Sequence, residues 1–183
     1  MKAIMWLISV IVSVLLSGCV GKEIAPINHY QFEMEHKEAK CKKMGLYGWL
    51  GIEAEAKIDT SKIAYIKEPN KVEYFAKNRW IDNLPNLLDV LVLKVARENC
   101  IVLAKDKQFL TDTLRLYILD LHYDENLNSA VFEALLEQTK GEQIEQFWIL
   151  ETKEVSKGGF EEIIRAMNES VLEGISKVFA RIK

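Results

Sequence analysis

The sequence predicts an α+β fold, a two-layer sandwich in which two main helices pack on one face of an antiparallel or mixed β-sheet. Strand-like segments stand on both sides of a first helix-like segment, and a second amphipathic segment closes the chain. Turn signals separate the later strands into hairpins. Because helices do not alternate with single strands, the pattern argues against a parallel doubly wound fold.

The first half of the chain contains short strand candidates. Tyr30, Phe32 and Met34 can form one face of a first strand, although the alternation there is poor. Proline followed by asparagine at Pro69-Asn70 favours a turn between two β-rich runs. The predicted strands of this half are residues 30–35, 49–58, 62–67 and 71–75.

A helix is predicted at residues 84–99. Pro85 suits its first turn, where the missing N–H leaves no hydrogen bond unmade. Apolar side chains cover more than half of the circumference, so the helix requires cover on two sides, from this domain or from a neighbouring subunit. These side chains are Leu84, Leu87, Leu88, Val90, Leu91, Val92, Leu93 and Val95.

The second half of the chain predicts longer strands and a closing helix. Lys140-Gly141 between two alternating runs predicts a hairpin, and Asp124-Glu125-Asn126 marks the preceding turn. The closing helix begins at about Phe160, after a break at Gly158-Gly159, and its apolar residues recur at helical spacing. The predicted strands of this half are residues 101–103, 113–123, 128–139 and 142–154.

The N-terminus carries a bacterial lipoprotein signal. Lys2 precedes an apolar run, residues 3–16, that has the length of a signal-peptide core and is too short to span a bilayer comfortably. Leu16-Ser17-Gly18 then forms a lipobox before Cys19, whose thiol can accept a diacylglyceryl group. The alternative is a short transmembrane anchor with a chance cysteine. We expect cleavage before Cys19 and acylation of that cysteine.

The predicted domain organisation follows from that cleavage. Residues 1–18 are the signal peptide, residues 19–28 a lipidated tether, and residues 29–183 a single α+β domain. Acyl chains would hold the domain on a membrane of the cell envelope, facing the periplasm. Val20 stands where an aspartate would retain a lipoprotein in the inner membrane of enteric bacteria, so we expect the outer membrane. Without Lys2 the formal charge changes from −3 to −4, which gives no electrostatic case for nucleic acid.

Two cysteines remain after the lipid is assigned to Cys19. Cys41 and Cys100 would lie in an oxidising compartment. They can form a disulfide or stay as two unpaired thiols, one of them buried after a helix. Their spacing does not decide between these alternatives.

Patterns of catalytic residues are absent from the sequence. It contains no H-E-x-x-H, G-x-S-x-G, C-x-x-C or Walker pattern. Asp120, His122 and Asp124 alternate along one strand and could approach a metal ion, but ligands spaced along a single strand do not close a coordination sphere. A solvent-facing polar edge is the better interpretation. We therefore expect no catalytic residue, no cofactor and no metal site.

An aromatic and basic segment precedes the first helix and is the candidate contact region. Its aromatic side chains are either core residues or, in part, an exposed surface for a partner protein or a lipid. The second interpretation rests on the enrichment of aromatic and arginine side chains at interfaces. The candidate contact residues are Tyr65, Tyr74, Phe75, Arg79 and Trp80.

The same segment, from Ile63 to Leu88 (IAYIKEPNKVEYFAKNRWIDNLPNLL), resembles the ABC-type transport auxiliary lipoproteins of MCE-type and paraquat-inducible lipid transport systems. Leu114–Leu121 and Phe160–Val171 are similar to the same family, whereas residues 28–48 match no feature of it. The resemblance implies a non-enzymatic accessory role. Its implied partners are an MCE-domain protein and the ABC permease and ATPase, which together move phospholipid between the two membranes. Homo-oligomer formation would fit the broad apolar surface of the first helix.

A second hypothesis belongs to another class of function. Small α+β lipoproteins also assemble or stabilise outer-membrane or envelope-spanning complexes, such as a lipopolysaccharide translocon. That role predicts a plug-like contact with a barrel-shaped partner. The identity and size of a protein crosslinked to the chain would separate the two hypotheses.

Overall fold

The computed structural model describes residues 26–35, 40–105 and 110–182. The predicted signal peptide, with Leu16-Ser17-Gly18 and Cys19, lies outside these residues. Within them the chain forms one eight-stranded sheet and two helices, which confirms the predicted α+β class. In chain order the elements are β1 (Asn28–Tyr30), β2 (Gly45–Ala54), β3 (Lys62–Glu68), β4 (Lys71–Trp80), α1 (Leu84–Glu98), β5 (Ile101–Ala104), β6 (Asp112–Asp124), β7 (Ser129–Lys140), β8 (Gln143–Glu154) and α2 (Phe160–Phe179).

The sheet is mixed, and it forks at β6. On one side β6 pairs antiparallel with β7, which pairs antiparallel with β8. On its other side the first half of β6 pairs parallel with β2, and its second half pairs parallel with β3. One branch of the fork continues from β2 to β5, and the other continues from β3 through β4 to β1. β6 is therefore the strand that joins all parts of the sheet.

Three tight turns have residues in the left-handed region of backbone space. Asn70 (φ 64°) closes the β3–β4 hairpin, Asn128 (φ 47°) leads into β7, and Gly141 (φ 58°) closes the β7–β8 hairpin. Asparagine and glycine tolerate this conformation at little cost. Asn70 and Gly141, which the sequence analysis recognised as turn residues, therefore close the β3–β4 and β7–β8 hairpins.

The two faces of the sheet are different. Along β7, Phe132, Ala134 and Leu136 alternate with half-buried residues and are almost fully buried, at 0–1% exposure. Both helices cover this side, because α2 contacts β6, β7 and β8 while α1 contacts β2, β5 and α2. We call it the helix face. The opposite side, which includes Glu133 and Leu135 of β7, is the open face.

Helix α1 is covered largely by its own domain. Leu84, Leu88, Leu91, Val92, Val95 and Ala96 are buried. Pro85 lies in its first turn as predicted. Val90 remains 55% exposed, so the apolar surface left for a neighbouring subunit is narrow.

Helix α2 lies very close to the sheet. Its buried side consists of Ala166, Met167, Ser170, Val171, Gly174, Ile175, Val178 and Phe179. At Gly174 an added Cβ would lie 2.6 Å from Cγ2 of Ile149. A side chain at this position would therefore push the helix away from β8.

The two cysteines of the described residues form a disulfide bond. Cys41 and Cys100 are bonded, with 5.5 Å between their Cα atoms, across a sequence separation of 59. Next to the bond, the N–H of Gly45 donates to the carbonyl of Cys100 at 2.9 Å. The bond therefore ties the start of β2 to the residue before β5, its parallel neighbour.

The predicted strands of the second half agree with the structure, but three in the first half require correction. The first strand is Asn28–Tyr30 instead of residues 30–35, because the backbone of Glu33 is hydrogen-bonded to the side chain of Asn168 and not to a strand. β2 begins at Gly45, where pairing with β5 starts, and ends at Ala54. β4 extends to Trp80 instead of residue 75 because β1 pairs with its second half.

Candidate partner-binding surface

The aromatic residues of the predicted contact segment are engaged inside the fold. The rings of Tyr65 and Phe75 are 4.6 Å apart, and Phe75 makes an edge contact of 4.8 Å with Phe160 at the start of α2. On the open face, the hydroxyl of Tyr74 donates to the carbonyl of Lys57 at 2.7 Å. These three side chains are half-buried. They attach the β3–β4 hairpin to the rest of the domain.

Trp80 lies in the hydrophobic core and not on the molecular surface. It is 2% exposed and stacks on Phe32 with 4.7 Å between ring centroids. Arg79 is half-buried, and its Nε has no hydrogen-bond partner among the described residues. The prediction of an exposed contact is therefore corrected for Trp80, which is a core residue.

An ionic group holds the same hairpin on the helix face. The hydroxyl of Tyr65 donates to Glu73, and Nζ of Lys71 lies 2.6 Å from the other oxygen of Glu73. The hydrogen bonds from Lys71 and Tyr65 lower the pKa of Glu73. The bond to Glu73 also raises the pKa of Tyr65, because ionisation of the phenol would break it.

The polar residues considered as metal ligands have structural partners instead. Asp120 accepts hydrogen bonds from Nδ1 of His122 at 2.9 Å and from Nζ of Lys57 at 2.6 Å. Burial alone would raise the pKa of Asp120, but these two bonds outweigh it and hold the pKa below its usual value. Asp124 caps its turn by accepting from the N–H groups of Asn126 and Leu127. Across residues 26–35, 40–105 and 110–182, no three His, Cys, Asp or Glu side chains are placed to share a metal ion.

Large apolar side chains on the open face of β8 form the most exposed apolar group on the sheet. Ile144, Trp148 and Leu150 are 64%, 62% and 67% exposed. Trp148 stands opposite Leu135 of β7 in the strand register, and Leu150 stands opposite Glu133. We call Ile144, Trp148 and Leu150 the β8 patch. Exposed apolar groups of this kind mark surfaces that contact other molecules.

A second exposed group lies on the open face at the other end of the sheet. Leu46 of β2 and Val102 of β5 are directly opposite in register and are 52% and 39% exposed. We call these two residues the β2–β5 patch. Charged side chains lie between the two patches, including an ion pair of 2.7 Å between Arg115 and Glu53. The open face therefore carries two separate apolar groups, and each can serve as a contact surface for another molecule.

A cleft runs between the helices on the other side of the domain. Its volume is about 840 Å³, and residues 31–35 form one wall of it. The amide of Asn168 in α2 holds that wall through two hydrogen bonds to the backbone of Glu33, at 3.0 and 2.8 Å. Lys94, Glu98 and Glu169 also line the cleft. Phe32, Met34, Val95 and Leu172 complete the lining, so the cleft is mixed in character.

The β8 patch was not recognised in the sequence, although a signal for it is present. Residues 147–150 read Phe-Trp-Ile-Leu, four consecutive apolar residues in a strand that otherwise alternates. Phe147 and Ile149 point to the helix face and pack against the core. Trp148 and Leu150 must then point to the opposite side, where they are 62% and 67% exposed among the described residues.

The fold and this surface define a small α+β domain with helices on one side of a mixed sheet and an open, partly apolar face on the other. In the described part of the chain, no helix has both the length and the apolar character needed to cross a bilayer. No protein-family model and no curated protein matches the sequence.

Solved structures do share the fold. A crystal structure described as an uncharacterized protein has a TM-score of 0.72 at 12% identity, over 86% of this chain and 99% of that one. The protein XCC0632 from Xanthomonas campestris, of family DUF330, has a TM-score of 0.66 at 11% identity, over 84% and 93%. The hypothetical protein CT253 from Chlamydia trachomatis has a TM-score of 0.51 at 12% identity, over 76% and 95%. At these identities the likeness shows a common fold.

Proposed function

We propose that the protein is a lipid-anchored, periplasm-facing lipoprotein that serves as a non-enzymatic accessory subunit of an MCE-type ABC phospholipid transport system. The observation that carries this proposal is the open face, where apolar side chains are presented to solvent on a rigid sheet. A subunit that acts by binding another protein requires such a surface. The outer membrane is its proposed location, because Val20 follows Cys19 in place of aspartate.

Two further features support the family assignment. The residues that resemble the auxiliary lipoproteins, Ile63 to Leu88, form one continuous unit made of the β3–β4 hairpin and the first turn of α1. The fold shared with the DUF330 protein over 84% of the chain supports a family-level relationship.

The proposal is tested by recovering partners from the envelope. The acylated chain, tagged at its C-terminus, would be purified from detergent-solubilised envelopes, and co-purifying proteins identified by mass spectrometry. We expect an MCE-domain protein together with its permease and ATPase. Recovery of none of these components would contradict the proposal, and recovery of an outer-membrane translocon would support the assembly role instead.

A pair of matched variants locates the contact. Replacing the β2–β5 patch by Leu46→Ser and Val102→Ser should lower recovery of the MCE-domain protein about tenfold, because loss of two apolar contacts costs more than 1 kcal/mol. The control is Leu127→Ser, which removes a leucine that is 63% exposed in the β6–β7 turn and not on the open face. Equal recovery of the MCE-domain protein with both variants would show that the β2–β5 patch is not the contact.

A further inference from the structure

β8 has an unpaired edge. It is the outermost strand on its side, since it pairs with β7 and with no other described strand. The N–H of Val155 donates to the carbonyl of Asn128 at 2.8 Å, and the register with β7 continues without a shift to Gln143. Hydrogen-bonding directions alternate along a strand, so the backbone groups of the even-numbered residues from 144 to 154 point away from β7. A row of free donors and acceptors is therefore available.

This edge lacks three features that normally prevent pairing between proteins, namely a short length, a proline and a bulge. It does carry charged side chains on the helix face, among them Glu145, Glu151 and Lys153. Natural edge strands are kept short or carry proline, bulges or outward lysines. β8 has 12 residues, contains no proline, and pairs with β7 without a bulge. Its one lysine, Lys153, lies on the helix face beside Glu173. The open face next to the edge carries the exposed β8 patch.

We propose that β8 pairs antiparallel with β8 of a second copy of this chain, with a twofold axis at Ile149, so that the two sheets become one. This register places Trp148 beside Leu150 of the second copy on the open face, twice by symmetry. On the helix face it places Glu145 beside Lys153 of the second copy, also twice. Apolar and opposite-charge cross-strand pairs both stabilise antiparallel strands, and the same patch serves both copies, as an isologous dimer requires.

Neighbouring registers are less favourable. An axis at Trp148 would place Glu145 opposite Glu151 of the second copy, and like charges directly opposite each other destabilise a sheet. An axis at Leu150 would place Phe147 opposite Lys153 and would leave Glu145 opposite Val155, without an opposite charge. The axis at Ile149 also has one mixed pair, Phe147 opposite Glu151, but it keeps the pair of Glu145 with Lys153. Only the axis at Ile149 pairs apolar residues on the open face and opposite charges on the helix face at once.

The charges around the β8 patch favour a second protein over a membrane as the occupant. Glu133, Glu137 and Glu154 lie on the same face as the patch. An anionic lipid surface would repel these carboxylates. The pairing goes beyond the proposed transport role and does not depend on it, because the β2–β5 patch remains free for another partner.

Paired cysteine substitutions test the register in the full acylated chain. In the proposed dimer Gln146 lies beside Thr152 of the second copy, whereas within one chain the two are about 20 Å apart along the strand. The Gln146→Cys/Thr152→Cys variant should therefore form a disulfide-linked pair of chains in the envelope. Gln146→Cys alone and Thr152→Cys alone are the matched controls, since neither residue faces its own copy. We expect about tenfold more linked pairs in the double variant than in either control.

A second measurement keeps the test independent of those substitutions. A photoreactive phenylalanine analogue at Thr152 should yield an adduct of two copies of this chain. Trp148→Ser should weaken self-association about thirtyfold, as expected for an aromatic at the centre of an interface. Sedimentation equilibrium in density-matched detergent measures the self-association constant. Photoadducts only with lipid or with another protein, or equal linking in the single and double cysteine variants, would overturn the proposal. Failure to recover the MCE-domain protein would not overturn the β8 pairing, because that test concerns the β2–β5 patch and this one concerns β8.

Discussion

Gly174 marks the closest approach of α2 to the sheet. A methyl group there would lie 2.6 Å from Cγ2 of Ile149 and 3.2 Å from Cδ1 of Phe132. Alanine favours a helix over glycine by up to about 1 kcal/mol, but overpacking of this kind costs about 1–3 kcal/mol. We therefore expect Gly174→Ala to lower the free energy of unfolding in urea. Glu169→Ala, at an exposed site on the same helix, should leave it nearly unchanged, and a gain in stability in Gly174→Ala would show that the helix can shift at no cost.

Glu173 predicts a dependence of stability on pH. Hydrogen bonds from Lys153 and Lys177 lower its pKa from 4.5 to about 2. Because the folded-state pKa is depressed, the stabilisation is complete above pH 4.5 and is lost as the pH falls towards 2. Urea unfolding measured across this range should show a smaller loss of stability in Glu173→Gln than in the wild type. Glu169→Gln is the control one turn earlier on α2, and high salt should reduce the difference because the group is exposed.

Single residues also show what sequence reasoning can and cannot establish. Pro69-Asn70, Lys140-Gly141 and Pro85 act locally, and the structure has the turns and the helix start that they predict. Whether an aromatic side chain is core or surface depends on distant partners. Trp80 is buried because Phe32 stacks on it, and Trp148 is exposed because no residue in the described ranges covers it. Composition alone therefore could not separate contact residues from core residues.

At the scale of elements, periodicity predicted β6, β7, β8 and both helices with boundaries close to those observed, whereas β2 was displaced by four residues and β4 was predicted too short. Helix α1 ends at Glu98 where residue 99 was expected, and α2 begins at Phe160 as expected. The predicted strand at residues 30–35 was wrong. The apolar side chains alternate there because they pack against α2 and the core, while the backbone is hydrogen-bonded to the side chain of Asn168. A tertiary hydrogen bond of this kind leaves no local signal.

The Cys41–Cys100 bond connects elements and should contribute to stability through the unfolded state. In the loop-entropy account, a bond across a separation of 59 residues stabilises a domain by about 2–5 kcal/mol. We expect the Cys41→Ser/Cys100→Ser variant to unfold at correspondingly lower urea concentration. The wild type measured in a reducing agent should match the variant. Equal stability of the oxidised wild type and the double serine variant would show that the bond does not contribute.

At the scale of the whole molecule, the sequence predicted the class of fold but not its connectivity. The order of strands and helices is enough for an α+β sandwich. The parallel pairs that β6 makes with β2 and β3 join residues far apart in the chain, for example Ala64 with His122. Neither the residues of β2 nor those of β3 specify which strand they meet, because both strands present buried apolar side chains, such as Trp49 and Ile63, that suit more than one neighbour.

Anchoring is also a property of the whole molecule. If Cys19 carries the acyl chains, Cys19→Ser should release the protein from membranes after a carbonate wash, whereas the wild type should stay bound, because two or more chains hold a protein firmly. Immunoblotting of the soluble and membrane fractions measures this. Val20→Ala is a control that leaves the cysteine in place. A Cys19→Ser protein that remains with the membrane, or a mature wild type without lipid, would contradict the anchor and the proposed location together.

The fork at β6 determines the order in which the sheet can be assembled. A chain that emerges N-terminus first delivers β2, β3 and β4 before β6, yet β2 and β3 meet only through β6. The β3–β4 hairpin can close early because it is local, but its junction with β2 must wait for residues 112–124, and such distant pairing slows folding. The arrival of β6 joins both branches, and β7 and β8 then add to its other side as consecutive hairpins. Until then the open edges of β2 and β3 can pair with other chains and aggregate. We therefore expect aggregation to be most frequent when synthesis or export pauses before residue 112.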